Sequence, residues 1–157
     1  MATNPVLTSN KNFLTPIGFK FNIDTTKYPN LEYFCSAVNL PGISLNAVET
    51  PYRGVNLSFT GDRLTFEDLT IQFNIIENME NYKETFDWMH NTISTNEIFT
   101  SDAILSILSS HNNVTKEIKF NGCFPISLSG ADFTSQASDV EYLQASVTFK
   151  YTNFEFV

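Results

Sequence analysis

Cys35, His90, His111 and Cys123 are the side chains with the chemistry of soft metal ligands or strong nucleophiles. A zinc site needs three or four such groups converging at close spacing. The chain has no His-x-His, no HExxH and no CxxC. Both histidines fall at unhelpful places, one near the end of an expected helix and one in a turn. Cys35 and Cys123 lie beside Phe34, Ala37 and Phe124, the setting of small buried thiols. Whether they pair or stay free cannot be read from spacing. Glu67 and Asp68 are adjacent carboxylates. On a strand, neighbouring side chains face opposite sides, so these two cannot share a proton in general acid–base work. No P-loop, GxGxxG or GxSxG is present, which removes the common phosphate cradles and the nucleophile elbow. The expectation is a protein that is not an enzyme and uses no cofactor.

Composition narrows the class. The chain has 157 residues, enough for one domain with a core of its own. Its 15 Phe and 6 Tyr suit strands and the interiors of sandwiches and barrels. Nine basic residues against 17 acidic ones give a formal charge of −8. That balance argues against gripping nucleic acid or an anionic membrane, because phosphate neutralisation needs Lys and Arg. No segment approaches the ~20 apolar residues of a membrane helix, and the N-terminus does not read as a signal peptide.

Period-2 alternation dominates the chain. Residues 1–16 are polar and turn-rich, an arm with Phe13 and Leu14 as its anchor. Phe19, Phe21 and Ile23 alternate as a first strand. Lys27-Tyr28-Pro29-Asn30 reads as a turn, and Leu31 to Leu40 as a second strand ended by Pro41-Gly42. Residues 43–64 form an extended arm and hairpin, with Val55, Leu57 and Phe59 alternating and a turn at Thr60-Gly61-Asp62. Leu69, Ile71, Phe73 and Ile75 then define a long half-buried strand.

One helix is predicted over Glu80 to Asn91. Tyr82, Phe86, Met89 and Ile93 fall on one stripe, with Glu80, Glu84 and Asp87 on the opposite one. Asn78 is placed to cap it, and Trp88 sits on the flank as a rim aromatic. Ala103 to Ser110 fits either a short helix or a strand, and a hairpin closed at Ser110-His111-Asn112-Asn113 is preferred. Gly122-Cys123-Phe124-Pro125 breaks the next strand. Leu143 to Tyr151 alternate as the last strand. Phe154 and Phe156 are out of phase with it, which suggests a bulge near Thr152-Asn153. The fold class is mainly β: a single domain over 1–157, an antiparallel sandwich or barrel with one main helix and an extended hairpin arm.

Five places in order resemble the tail tube proteins of contractile-tailed bacteriophages, relatives of the type VI secretion tube. They are Phe34 to Gly42 with its Leu-Pro ending; Gly61-Asp62-Arg63-Leu64-Thr65-Phe66-Glu67-Asp68 running on to Phe73; Phe86-Asp87-Trp88 in the helix; Val114 to Gly122 leading into Phe124-Pro125; and the aromatic closing strand. The resemblance implies a hexameric ring, rings stacked into a hollow tube, a sheath around it, and a baseplate beneath. It also implies tape-measure protein and DNA passing inside without specific binding, in a virion tail assembled in the host cytoplasm. A tube-initiating or tube-terminating paralogue is the alternative within the class. A small-molecule-binding β-barrel is the alternative outside it. Tyr52, Arg53, Gly54, Val55 and Asn56 are assigned to ring stacking. Glu80, Glu84 and Asp87 are assigned to the sheath.

Overall fold

The structure is a computed structural model, and it describes residues 12–24, 26–136, 139 and 141–157. Alternating sequence becomes strand, in most places with one face buried. The described strands are β1 (Phe19–Asn22), β2 (Cys35–Asn39), β3 (Ile43–Tyr52), β4 (Val55–Phe66), β5 (Leu69–Asn74), β6 (Ser101–Leu108), β7 (Val114–Leu128), β8 (Gln144–Lys150) and β9 (Asn153–Phe156). Two helices join them, α1 (Pro29–Tyr33) and α2 (Glu80–Ser94).

Seven strands form one antiparallel system in the order β1-β6-β7-β8-β5-β2, with β9 also on β7. Its centre is β7, whose first half pairs β6 and β9 while its second half pairs β8. The strand turns a corner at Gly122, φ 65°, a left-handed conformation that suits a residue without Cβ. The break expected there is therefore a bend inside one continuous strand. The bulge expected near Thr152 is the matching corner on the other chain segment. The Thr152 N–H donates to the Asn121 carbonyl at 2.9 Å, and the chain leaves β8 for β9 along the same flank of β7.

Inward positions make one core. Leu69 faces Phe149, Ile71 faces Val147, and Phe73 faces the small Ala145 across β5 and β8. These residues are buried with Phe21, Leu105, Ile118 and Phe120 from the other half of the system. Ser101–Leu108 is a strand, not a helix, and its hairpin closes where Asn112 takes φ 59°.

Two expectations for the segment after β1 give way. Leu31 belongs to the helix α1 and is fully buried. Pro29 opens that helix, where its missing N–H costs nothing and its fixed φ helps. The second strand is correspondingly shorter, Cys35–Asn39. Residues 1–11 of the expected N-terminal arm lie outside the described residues. Phe13, offered as an anchor, is 98% exposed.

Candidate functional site

β3 and β4 form a two-stranded ribbon of their own, separate from the seven-stranded system. Antiparallel pairing from Ile43↔Phe66 to Tyr52↔Val55 leaves Arg53 and Gly54 as a two-residue turn. Both have positive φ, 48° and 81°, as a type I′ hairpin requires. Tyr52 to Asn56 are thus the tip of the arm. The Arg53 guanidinium lies over the Tyr52 ring at 5.5 Å.

Gly61 is not a turn residue. It lies inside β4, opposite Asn46, where the register shifts. The two backbones approach too closely there for any side chain. Pairing also sorts the faces of the distal ribbon. Val48↔Phe59, Thr50↔Leu57 and Tyr52↔Val55 share one side, while Ala47↔Thr60, Glu49↔Ser58 and Pro51↔Asn56 share the other. The first side is apolar and solvent-exposed. The second is largely polar and carries an Asn56 Nδ2 to Glu49 Oε2 hydrogen bond of 3.3 Å. Val48 and Thr50 were missed in the sequence, although the alternation that continues to Tyr52 was there to be extended.

At its base the arm is pinned. Phe66 packs edge-on against Tyr151 and Phe154. The Glu67 carboxylate accepts from the Gly42 N–H at 3.2 Å, and the Glu67 carbonyl accepts from the Tyr151 hydroxyl at 2.7 Å. Asp68 pairs with Lys150. Glu67 and Asp68 lie between strands, and each carboxylate has its own structural partner, so they form no acid–base pair.

α2 buries a face between the two expected stripes. Its buried residues are Asn81, Thr85 and Trp88. Asn81 is satisfied there: its Nδ2 donates to the Asn74 carbonyl at 2.7 Å and its Oδ1 accepts the Tyr82 N–H at 2.9 Å. Trp88 is core, not rim, at 2% exposure. It stacks on Tyr28 at 4.1 Å and donates from Nε1 to the Phe99 carbonyl at 2.8 Å. The stripe expected to be buried splits: Tyr82 packs against the core and Met89 is half-buried, while Phe86 is 54% and Ile93 83% exposed. Tyr82, Phe86, Met89, His90, Ile93 and Leu128 line an open hollow of about 360 Å³ there. Asn78 does receive the Glu80 N–H at 3.3 Å, but Met79 in the left-handed conformation is the residue that starts the helix.

Of the three acidic residues on α2, Glu80 is exposed and Asp87 half-exposed. Glu84 is turned toward α1, where Asn30 Nδ2 donates to it.

The groups with catalytic potential stay apart. Cys35 and Cys123 are free thiols. Burial pushes the Cys35 thiol up to about 11 and the Cys123 thiol up to about 12, the reverse of an activated nucleophile. His111 lies in the β6–β7 turn beside Ser110 Oγ, and His90 stacks on Phe86. Among the described residues no three His, Cys, Asp or Glu side chains gather as a metal site. No described helix is long and apolar enough to cross a membrane.

Known proteins resemble this architecture. A family model described as phage tail tube protein matches residues 3–157. A tail tube protein of Serratia phage KSP90 is 30% identical over 121 residues, covering 72% of this chain and 67% of that protein. Two solved structures share the fold at low identity. One is a chain of the anti-feeding prophage tube-terminating cap, with TM-score 0.71, 14% identity, and 100% and 99% of the two chains covered. The other is a chain of the extended sheath-tube complex of the extracellular contractile injection system PVC, with TM-score 0.70, 17% identity, and 94% and 93% covered. With a family model matched over nearly its whole length and a phage relative at 30% identity, the chain belongs to the phage tail tube protein family and is a structural component of the virion tail, not an enzyme.

Proposed function

We propose that this chain forms six-fold rings that stack into the hollow inner tube of a contractile tail, assembled without a cofactor in the host cytoplasm. A sheath surrounds the tube, a baseplate starts it, and tape-measure protein and then DNA occupy the lumen. The observation that carries the reading is the arm. Its distal face, with Val48, Tyr52, Val55, Leu57 and Phe59 around Thr50, is largely apolar and exposed, which a lone soluble domain has no reason to maintain. Tyr52 to Asn56, at its tip, reach furthest from the body and serve ring stacking. Identical arms around a ring multiply a contact that is weak singly. Glu80 and Asp87 on α2, with Glu84 behind them, present negative charge to a basic sheath surface.

The core supports a packed structural domain over a carrier. Its interior is filled by Phe73, Phe120 and Phe149, as small barrels are filled. Negative-stain microscopy of concentrated protein tests the proposal, with a baseplate template added where needed. Rings and long tubes are expected. Rings that never elongate would indicate an initiator or terminator, and persistent monomers would overturn the reading.

A further inference from the structure

The arm meets the body over a narrow base. Leu40-Pro41-Gly42 join β2 to β3, and Glu67-Asp68 join β4 to β5. β3 is exposed at every residue, and β4 at all but Gly61 and Phe66. Among the described residues of the arm, Phe66 therefore has the one side chain that is partly covered. Its ring meets Tyr151 at 6.1 Å and Phe154 at 5.5 Å, both edge-on. Those two rings meet Phe120 in turn, at 5.2 and 5.5 Å, and Phe120 is fully buried. A line of rings thus runs from the core to the arm, at the spacings aromatic pairs favour. Tyr151 adds a hydrogen bond, its hydroxyl donating to the Glu67 carbonyl at 2.7 Å. Glu67 closes the base of the arm: its N–H donates to the Gly42 carbonyl at 3.0 Å, and its carboxylate accepts the Gly42 N–H at 3.2 Å. One hydroxyl so holds both arm strands at once.

We infer that Tyr151 is the positioning residue of the arm, fixing the direction in which the β3–β4 ribbon leaves the body and so the geometry of stacking. The part that concerns stacking rests on the tube reading. A ribbon on short connections swings about them unless a contact across the hinge holds it, because a few residues at the ends of elements absorb such motion. Ring contacts set a distance but allow sliding, whereas a hydrogen bond adds direction. The neighbouring Lys150–Asp68 pair is partly exposed and contributes little by itself. That leaves the phenol as the directional contact. Burial first, then the Asp68 carboxylate, push the phenol up to about 12, so it stays a donor. An arm already held in its docking direction loses less freedom on binding than one that swings.

Tyr151→Phe keeps the ring and deletes the hydroxyl. Spin labels on Ser58→Cys in the arm and Lys83→Cys in α2, both exposed positions, report the arm's direction by pulsed EPR distances. Monomers are measured, with the unsubstituted chain as the labelling background. Thr92→Ala is the control, since it deletes a hydroxyl that donates to the Trp88 carbonyl at 2.9 Å, away from the hinge. A narrow distance distribution is expected with Tyr151 and in the control, and a markedly broadened one in Tyr151→Phe, at unchanged circular dichroism. The concentration at which tubes appear is expected to rise about fivefold in Tyr151→Phe, the factor a net hydrogen bond is worth. An unchanged distribution would overturn the inference, as would equal broadening in the control. A loosened arm that stacks at the unsubstituted chain's concentration would overturn it too. Failure of the unsubstituted chain to form tubes would instead overturn the tube reading and leave the distance comparison intact, so the two failures are distinguishable.

Discussion

A Cβ added to Gly61 would lie 2.1 Å from the carbonyl oxygen of Asn46. No real side chain survives such a contact, so the β3–β4 bulge exists only with glycine at this position. Gly61→Ala must push the strands apart in the middle of the arm. The arm is a sheet of its own, so the core is spared. Thermal unfolding of the monomer is expected within about 2–4 °C of wild type, the shift ~1 kcal/mol gives in a domain of this size. Tube length by electron microscopy is expected to collapse.

Trp88 is the single tryptophan of the chain and is locked on three sides, by Tyr28, Phe149 and the Phe99 carbonyl. Trp88→Ala is expected to cost ~3–5 kcal/mol. Trp88→Phe keeps most of the packing but orphans the carbonyl, for a loss of ~1–3 kcal/mol. Urea denaturation followed by circular dichroism measures both. A cost near zero for the alanine variant would return Trp88 to the rim.

Raised pKa values at Cys35, Cys123 and Tyr151, the last also pushed to about 12 by burial, set an alkaline limit. The folded state holds these protons more tightly than the unfolded state. Their contribution is complete below the ordinary thiol and phenol range and is lost as pH climbs through 11 to 12. At pH 8 only about one thiol in a thousand or fewer is thiolate. Iodoacetamide is expected to leave the native protein unmodified by mass spectrometry and to modify both cysteines in urea. Fast native labelling would contradict this.

Asp102 sets the acid side. The Gly122 N–H donates to its carboxylate at 3.0 Å, and Lys119 adds to the stabilisation, so its pKa lies below the usual carboxylate value. A lowered value contributes stability above the ordinary aspartate range, and that contribution disappears as pH falls through the folded-state value. Asp102→Asn keeps an acceptor for Gly122 while removing the charge. The variant is expected to flatten the loss of stability below about pH 4, in melts taken from pH 7 to pH 2.

Charge reversal at Glu80 and Asp87 to Lys tests the sheath surface without touching Glu84, whose bond to Asn30 joins the two helices. Tubes are expected to form normally and to lose sheath decoration. The wild-type contact is expected to weaken with added salt, since screening acts within about 8 Å at physiological ionic strength. Normal decoration of the double-Lys tube would assign this face to solvent.

Much of the fold was legible because alternation over β5, β8 and the start of β7 leaves one reading. The tip was not: the turn was expected at Thr60-Gly61-Asp62, whereas the chain reverses at Arg53-Gly54 and Gly61 lies inside β4. What escaped was decided by tertiary contacts. The α2 wheel fails because Asn81 and Thr85 bury their polar groups against the backbone carbonyls of Asn74 and Asn81, while Phe86 and Ile93 of the apolar stripe are left for solvent. Hydropathy scores cannot see a satisfied amide. Gly122 signalled interruption, and only the pairing partners reveal that the strand continues around a corner. α1, at five residues, is too short to show a period at all.

Because β2 and β5 lie side by side and both enter the arm from the same end of the sheet, any pull on the arm arrives as shear. The β5 ladder to β8, six registered pairs from Leu69↔Phe149 to Asn74↔Gln144, then resists as a block along its length and is not peeled one bond at a time.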